Sequence, residues 1–303
     1  MDWTEKLKLR NLRMLLTLAE TGNMSQSAAL LNTTQPGMSK WLKEIEDDIG
    51  VPLFERLARG LRPTPFGDTL IEHARRIEGQ LDLAREELDA MRSGSSGLVV
   101  IGTSGAASAE TVPLAVLELL RQMPKAQIRL VESTMDRLMS QLDRSELDIV
   151  VGRSAPELQH PRIHAESLYL EPIHLVARPR HPLFQLDAVD WSDVQAYRWI
   201  VWPRGTPIRE AVDLALTRAR YAVPLESVES NSTVLNLTLI NNSDTIGFAS
   251  HRTARRLEEM GALRIVPLPL SGFGSVSLYW NADWAGRPAV ALMLKCLRGT
   301  AAS

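Results

Sequence analysis

Residues 23–50 read NMSQSAALLNTTQPGMSKWLKEIEDDIG, and the reading of this stretch decides the fold of the N-terminal region. Ser25 can cap a helix over 26–31 that turns Ala28, Ala29 and Leu31 inward. Asn32 tolerates the left-handed conformation that a tight turn needs. Thr34 can cap the next helix, with Pro36 in its first turn, where a missing N–H costs nothing. Met38, Leu42 and Ile45 form its inner stripe, and Gly50 ends it. Two helices joined by so short a turn are a helix-turn-helix, and the small Ala28-Ala29 pair lets them approach closely. The outer face of the second helix carries Gln35, Ser39, Lys40 and Lys43. Glutamine can bond adenine in the major groove; serine and lysine can take bases or phosphates. A solvated amphipathic helix would carry the same charges, so the tight turn is what favours a DNA-reading surface.

Upstream, Leu9, Leu12, Leu16 and Ala19 recur at helical spacing until Gly22 stops the helix. Downstream, 51–56 and 61–64 suggest two short strands around a turn at Gly60, a wing that carries Arg56, Arg59 and Arg62. Wing arginines can enter a minor groove or hold phosphates; solvated surface arginines are the alternative. Thr64 and Pro65 then start a long helix. Its Leu70, Ala74, Ile77, Leu81, Ala84, Leu88 and Met91 make a heptad seam. A stripe this narrow calls for a second helix, and a homodimer supplies one; packing on its own domain is the alternative. The run 93–97, Ser-Gly-Ser-Ser-Gly, has the composition of a linker.

The run 12–64 resembles the signature of the LysR family of transcriptional regulators. Asn23-Met24-Ser25 with Ala28-Ala29 resembles the family's second helix, and Thr34-Gln-Pro-Gly-Met-Ser39 its S-Q-P-A-L-S opening of the recognition helix. Leu42-Lys-Glu-Ile-Glu46, Gly50-Val-Pro-Leu-Phe-Glu-Arg56, Arg59-Gly60 and Thr64-Pro-Phe-Gly67 continue the match. Trp41 departs from it, standing where the family has a polar residue; it either crowds the base-reading face or packs at a neighbouring interface. Ser25, Thr34, Gln35, Pro36, Ser39, Lys40, Lys43, Arg56, Arg59 and Arg62 are the expected DNA contacts.

Beyond Leu98 the period changes. Strands at 98–101, 127–131 and 147–151 alternate with helices at 112–120 and 135–142, an order that implies a parallel sheet. Ligands of such sheets sit beyond the strands' C-terminal ends, at helix starts. Ser104, Ser133, Thr134 and Arg153 follow these strands, and Thr206 follows a later one at 200–202. Hydroxyls and free N–H groups suit a small anion, with Arg153 as a counter-charge, although each serine alone could be a plain cap or turn residue. Strands at 173–177 and 245–249, a helix from 230 to 240, a crossing near 267–270 and a closing helix at 290–297 complete the pattern. This half resembles the family's effector domain, a fold like periplasmic solute-binding proteins. Its landmarks are Gly102 with Pro113, Leu147-Asp148, His181-Pro-Leu183 and Ile246-Gly247. The run 147–153 resembles the galactose-binding-protein-regulator branch, whereas Asn241-Asn-Ser-Asp-Thr245 departs from the family's Ala-Ala-Gly-Leu-Gly.

Composition bounds the rest. The net charge of −2 shows no global basic excess, so DNA binding must come from local geometry. The one cysteine, Cys296, leaves no internal disulfide and reads as a small apolar residue of the last helix. His160 and His164 have metal-like spacing, but Pro161 between them breaks a helix, so no metal is expected. No nucleophile elbow, phosphate loop, dinucleotide fingerprint or zincin motif occurs, so neither an enzyme nor a cofactor is expected. With no apolar leader and no membrane span, a cytoplasmic protein is expected. The expected fold class is α+β. A winged helix-turn-helix (1–66) leads through a linker and dimerisation helix with its hinge (67–96) to a two-lobed α/β effector domain (97–303). Lobe I is expected at about 97–166 and 270–303, and lobe II at about 167–269. The expected partners are double-stranded DNA, a small-molecule effector, further copies of the chain as dimer or tetramer, and RNA polymerase. A solute-binding or ligand-storage protein without DNA function is the competing reading.

Overall fold

A computed structural model of the chain describes residues 3–57, 60–92, 94–154, 162–221, 227–268, 270, 274–281 and 287–301. It divides into two units, residues 1–86 with 144–146, and residues 87–143 with 147–303.

The first unit begins with α1 (Trp3–Lys6), α2 (Leu9–Thr21), α3 (Met24–Leu30) and α4 (Gln35–Ile49). The strands β1 (Phe54–Arg56) and β2 (Leu61–Pro63) and the long helix α5 (Pro65–Arg92) follow. Leu12, Leu15, Leu16 and Leu18 of α2 are buried against Ala28, Met38, Leu42, Ile45, Leu53, Phe54 and Ile71. α2 stops at Gly22, which has φ 58° and donates its N–H to Leu18 O. The Gly22 carbonyl then accepts from Leu61 N at 2.8 Å, pinning the wing to the end of α2. Gly60 passes so close that a Cβ there would stand 2.5 Å from Gly22 O. The cap of α3 is Asn23, not Ser25: Asn23 Oδ1 accepts from Ser25 N and Gln26 N at 3.0 and 3.1 Å. Ala29 is likewise exposed; Ser27 takes the inward position beside Ala28, its hydroxyl satisfied by Asn23 O at 2.9 Å. Seven residues make barely two turns, so moving the start back by two rotates which side chains face the core.

α4 follows its expected course. Thr34 Oγ1 accepts from Gly37 N at 3.2 Å, and Gly50 closes the helix with φ 83°. Glu46 Oε1 accepts from Leu53 N and Phe54 N, steering the chain into β1. β1 and β2 pair antiparallel, with Arg56 opposite Leu61 and Arg62 opposite Glu55. Thr64 Oγ1 accepts from Gly67 N at 3.1 Å and so caps α5. The seam on α5 divides: Leu70 and Ala74 join the core of the first unit, while Ile77, Leu81, Leu88 and Met91 are exposed.

The second unit holds a five-stranded sheet and a smaller pair of sheets. It continues with β3 (Leu98–Thr103), α6 (Gly105–Ser108), α7 (Thr111–Gln122), β4 (Gln127–Glu132), α8 (Met135–Asp143), β5 (Ile149–Arg153) and β6 (Ile163–Glu171). The chain then crosses to β7 (Ile173–Ala177), α9 (Trp191–Gln195), β8 (Trp199–Val201), α10 (Pro207–Arg218), β9 (Ser227–Glu229) and α11 (Thr233–Asn241). After β10 (Gly247–Ser250), α12 (His251–Glu259) and β11 (Arg264–Ile265) it returns through β12 (Gly274–Asn281) to α13 (Pro288–Ala301). The large sheet has the order β4-β3-β5-β12-β6. β3 pairs parallel with β4 and β5, as the alternation of strands and helices requires. β12 and β6 add themselves antiparallel, so the sheet is mixed and not purely parallel. One side of the sheet is covered by α7 and α13 through Val112, Leu119, Val290 and Met293; the other buries Leu138 and Leu142 of α8. The second lobe is built on the antiparallel sheet β10-β7-β11 and the parallel pair β8-β9, around Leu175, Trp199, Val201 and Phe248. Strand boundaries also moved: β5 runs to Arg153, and β10 starts at Gly247. The helix α12 is polar over most of its length, so no apolar run announces it.

Candidate nucleic-acid interface and ligand loops

The predicted DNA contacts lie on three elements of the first unit. Ser25 sits in the first turn of α3, Gln35 and Ser39 one turn apart on α4, and Arg56 at the end of β1. These four line one cleft of about 230 Å³, with Met24 and Leu61 among its apolar contacts. Gln35 Nε2 donates to Ser39 Oγ at 3.0 Å along its wall. Lys40 and Lys43 are exposed on the same helix, and Lys40 lies 3.7 Å from Glu44. Exposed ion pairs of this kind contribute at most about 1 kcal/mol, so Lys40 is readily released to a phosphate. Thr34 and Pro36 are exposed at the helix start; Thr34 is occupied as the cap, and Pro36 removes a donor that no helix bond needs. Arg62 is exposed on β2. Arg59 lies outside the described residues. α4 is polarised, with Lys40 and Lys43 preceding Glu44, Glu46, Asp47 and Asp48. The lysines lie toward the end that carries Gln35 and Ser39. Asp48 is turned to Lys6 at 2.5 Å. Trp41 is half-buried against the core of α2–α4, with its indole N–H buried and unbonded, so it does not stand free on the reading face.

The ligand-loop residues divide between the lobes. Ser104, Ser133 and Thr134 follow β3 and β4 at the same end of the large sheet, and all three are half-buried. Ser104 Oγ accepts from Arg153 N at 3.3 Å. The Thr134 hydroxyl bonds Asp136, which holds that carboxyl below its ordinary range. Thr206 stands at the start of α10 in the other lobe without a side-chain cap bond, and its hydroxyl donates to Pro203 O at 2.7 Å. Arg153 differs most from its sequence reading. As the last residue of β5 it is 4% exposed, and it donates Nη1 to Glu171 O and Nη2 to Ser250 Oγ, both at 3.0 Å. Burial pushes its pKa down and the nearby Glu171 charge opposes this. Each Nη group therefore gives one N–H to the protein, while the buried Nε has no hydrogen-bond partner.

Around Arg153 stands a charged cluster that strand patterns did not reveal. Glu171 Oε1 accepts from Arg252 N at 2.9 Å, while its buried Oε2 lies 3.9 Å from Arg252 Nε, beyond hydrogen-bond reach. Burial raises the Glu171 carboxyl above the usual range. Arg252 also donates to Glu110 at 2.8 Å and lies over the Tyr169 ring at 4.1 Å. These bonds join α12 of the second lobe to the first. The only local hint in the sequence is the Glu171-Pro172 step, where an acidic residue meets a strand breaker.

The chain matches the family model described as "Bacterial regulatory helix-turn-helix protein, lysR family" over residues 9–68. It matches "LysR substrate binding domain" over residues 92–302. It is 30% identical over 298 residues to the HTH-type transcriptional regulator GbpR of Azospirillum brasilense, covering 97% of this chain and 86% of that one. To the HTH-type transcriptional regulator GalR of Pseudomonas putida it is 29% identical over 291 residues, covering 95% and 73%. Among solved structures it is similar to full-length CbnR in complex with its target DNA. The TM-score there is 0.66 at 20% identity, over 97% of this chain and 100% of that one, a likeness of fold.

Proposed function

The chain belongs to the LysR family of transcriptional regulators, and we propose that it reads a dyad operator as an oligomer and responds to a small anionic metabolite. Residues 1–66 bind DNA, 67–96 pair the subunits, and 97–303 sense the effector. The observation that carries the DNA reading is the convergence of Ser25, Gln35, Ser39 and Arg56 on one cleft. A helix face gives direct readout there, while the wing arginines hold phosphates. The exposed apolar positions on α5 support pairing with a second copy, because water-exposed Leu81, Leu88 and Met91 at seam spacing gain by burial against an identical helix. Two such dimers make the tetramer, and two subunits match two half-sites. RNA polymerase is the further partner through which binding changes transcription.

The effector lies between the lobes, held by Ser104, Ser133 and Thr134 on one side and Thr206 on the other. Arg153 is assigned to the connection between the lobes, with its side chain committed to Glu171 O and Ser250. The ligand acts by binding one lobe arrangement better than another, since equal affinity would shift nothing. The protein works by binding, without a catalysed step, in the cytoplasm where its DNA is. None of its helices in the described residues is long and apolar enough to cross a membrane.

The test is a mobility-shift assay of the full-length protein with the DNA upstream of its own gene, repeated with sugar acids and aromatic acids found by thermal shift. Retardation that an acid alters supports the reading. A protein that retards no DNA yet binds an acid is a solute receptor. In Thr134→Val the DNA shift should persist and the response to the acid should vanish, because a methyl replaces the hydroxyl.

A further inference from the structure

Gln35 opens α4, and its side chain is already bonded before any base arrives: Nε2 donates to Ser39 Oγ at 3.0 Å. We propose that Ser39 is a positioning residue that presents Gln35 to an adenine, an inference that rests on reading Gln35 as base-facing. A glutamine amide has two N–H donors and one carbonyl acceptor. Giving one N–H to Ser39 leaves Oε1 and the second N–H, the acceptor and donor that adenine N6 and N7 require. The opposite arrangement, with Ser39 donating to Oε1, would leave two N–H donors, a pair suited to guanine O6 and N7.

The support beneath the pair is stiff. The residues are one helical turn apart, the spacing at which side chains on a helix meet. Thr34 caps the turn that holds Gln35, and Met38 and Leu42 anchor the opposite face in the core. Both side chains line the cleft that Ser25 and Arg56 also line. A free glutamine samples many rotamers and loses them on binding. The bond to Ser39 removes part of that loss in advance and directs the amide plane. Because Ser39 Oγ accepts from Gln35, its own hydroxyl hydrogen stays available to an acceptor on DNA.

Selection of binding sites from a random duplex library, using the full-length protein, tests this. The comparison takes wild type with Gln35→Ala, Ser39→Ala, Ser39→Thr and the double variant Gln35→Ala/Ser39→Ala. Wild type should prefer adenine at one position in each half-site, and Gln35→Ala should lose that preference. Ser39→Ala should weaken the preference at that same position by about three- to tenfold, the range of one net hydrogen bond. Ser39→Thr, which keeps the hydroxyl, should retain it, and the double variant should match Gln35→Ala at that position. If Gln35→Ala changes the preference and Ser39→Ala leaves it intact, or alters a different position, the positioning role is overturned and Gln35 remains a reader. A guanine preference at the Gln35 position overturns the adenine assignment. If Gln35→Ala changes no position, the base-facing reading of Gln35 falls and the role of Ser39 falls with it.

Discussion

Arg153 at the end of β5 donates Nη2 to the Ser250 hydroxyl at 3.0 Å, joining residues of the two lobes that lie 97 positions apart in sequence. The same guanidinium holds Glu171 O, and Glu171 in turn accepts from the backbone of α12. Removing it would leave the Glu171 carbonyl and the Ser250 hydroxyl without their buried donor, and Arg252 as the cation beside the Glu171 carboxylate. Arg153→Met should therefore lower the stability of the second unit by about 3 kcal/mol, the cost of leaving two buried groups without a charged donor. The corresponding Tm falls by roughly 6–12 °C in the full-length protein, with no ligand added. Calorimetry showing an unchanged Tm would mean that Arg153 is not a structural link.

The exposed seam on α5 gives a test of assembly. Leu81→Asp with Leu88→Asp places charge where two helices would bury leucine. Each buried leucine contributes about 1.5–3 kcal/mol, so the dissociation constant of the pair should rise by more than about a hundredfold. Sedimentation should then show a lower mass at a concentration where wild type is oligomeric. Equal masses would place the subunit interface elsewhere.

Arg56 and Arg62, both exposed on the wing, should act through phosphates. Replacing either by alanine should weaken cognate and scrambled DNA alike and reduce the slope of log affinity against log salt by about 1. Titrations at several salt concentrations check this. A loss confined to cognate DNA would make the arginine a base reader.

A pair of histidines gives a test of acid response in the second lobe. His174 Nε2 and His251 Nδ1 share one hydrogen bond at 2.8 Å between β7 and the start of α12. Burial pushes the His174 pKa below its ordinary value; His251 and Arg255 add to this, and Glu258 opposes it. A base with a lowered folded pKa binds its proton later than the unfolded chain does. Its contribution to stability is therefore present above about pH 6.5 and is lost as the pH falls through the folded value. Burial lowers His181 in the same sense. His174→Gln keeps a donor toward His251 but cannot take up a proton, so denaturation from pH 7 to 5 should show a shallower loss of stability than wild type. An equal slope in both proteins would mean that this pair does not drive the response.

Local chemistry made much of the first unit legible. Gly22, Thr34, Gly50 and Thr64 each serve as helix stop or cap where the pattern put them, because capping depends on a few neighbouring residues. The failure at Ser25 has the same scale. Asn23 and Ser25 are both good caps two residues apart, and choosing between them depends on which face of a short helix packs on α2. The seam was readable as a period, but only the folded unit showed that Leu70 and Ala74 serve its core while Leu81 to Met91 remain available.

In the second unit the parallel strands β3, β4 and β5 followed from alternating elements, since each helix returns its strand to the same direction. The antiparallel pair β6 and β12 did not follow, because its pairing joins segments more than a hundred residues apart across both lobe crossings. No local signal carries such a register. The same distance hid the Arg153–Glu171–Arg252 cluster. By itself the sequence determined the helix-turn-helix, the wing and the alternation of the sheet, where the deciding interactions lie within a few residues. Only the tertiary structure decided where Arg153 points, because partners as remote as Ser250 become neighbours after the two lobes have folded around their crossings.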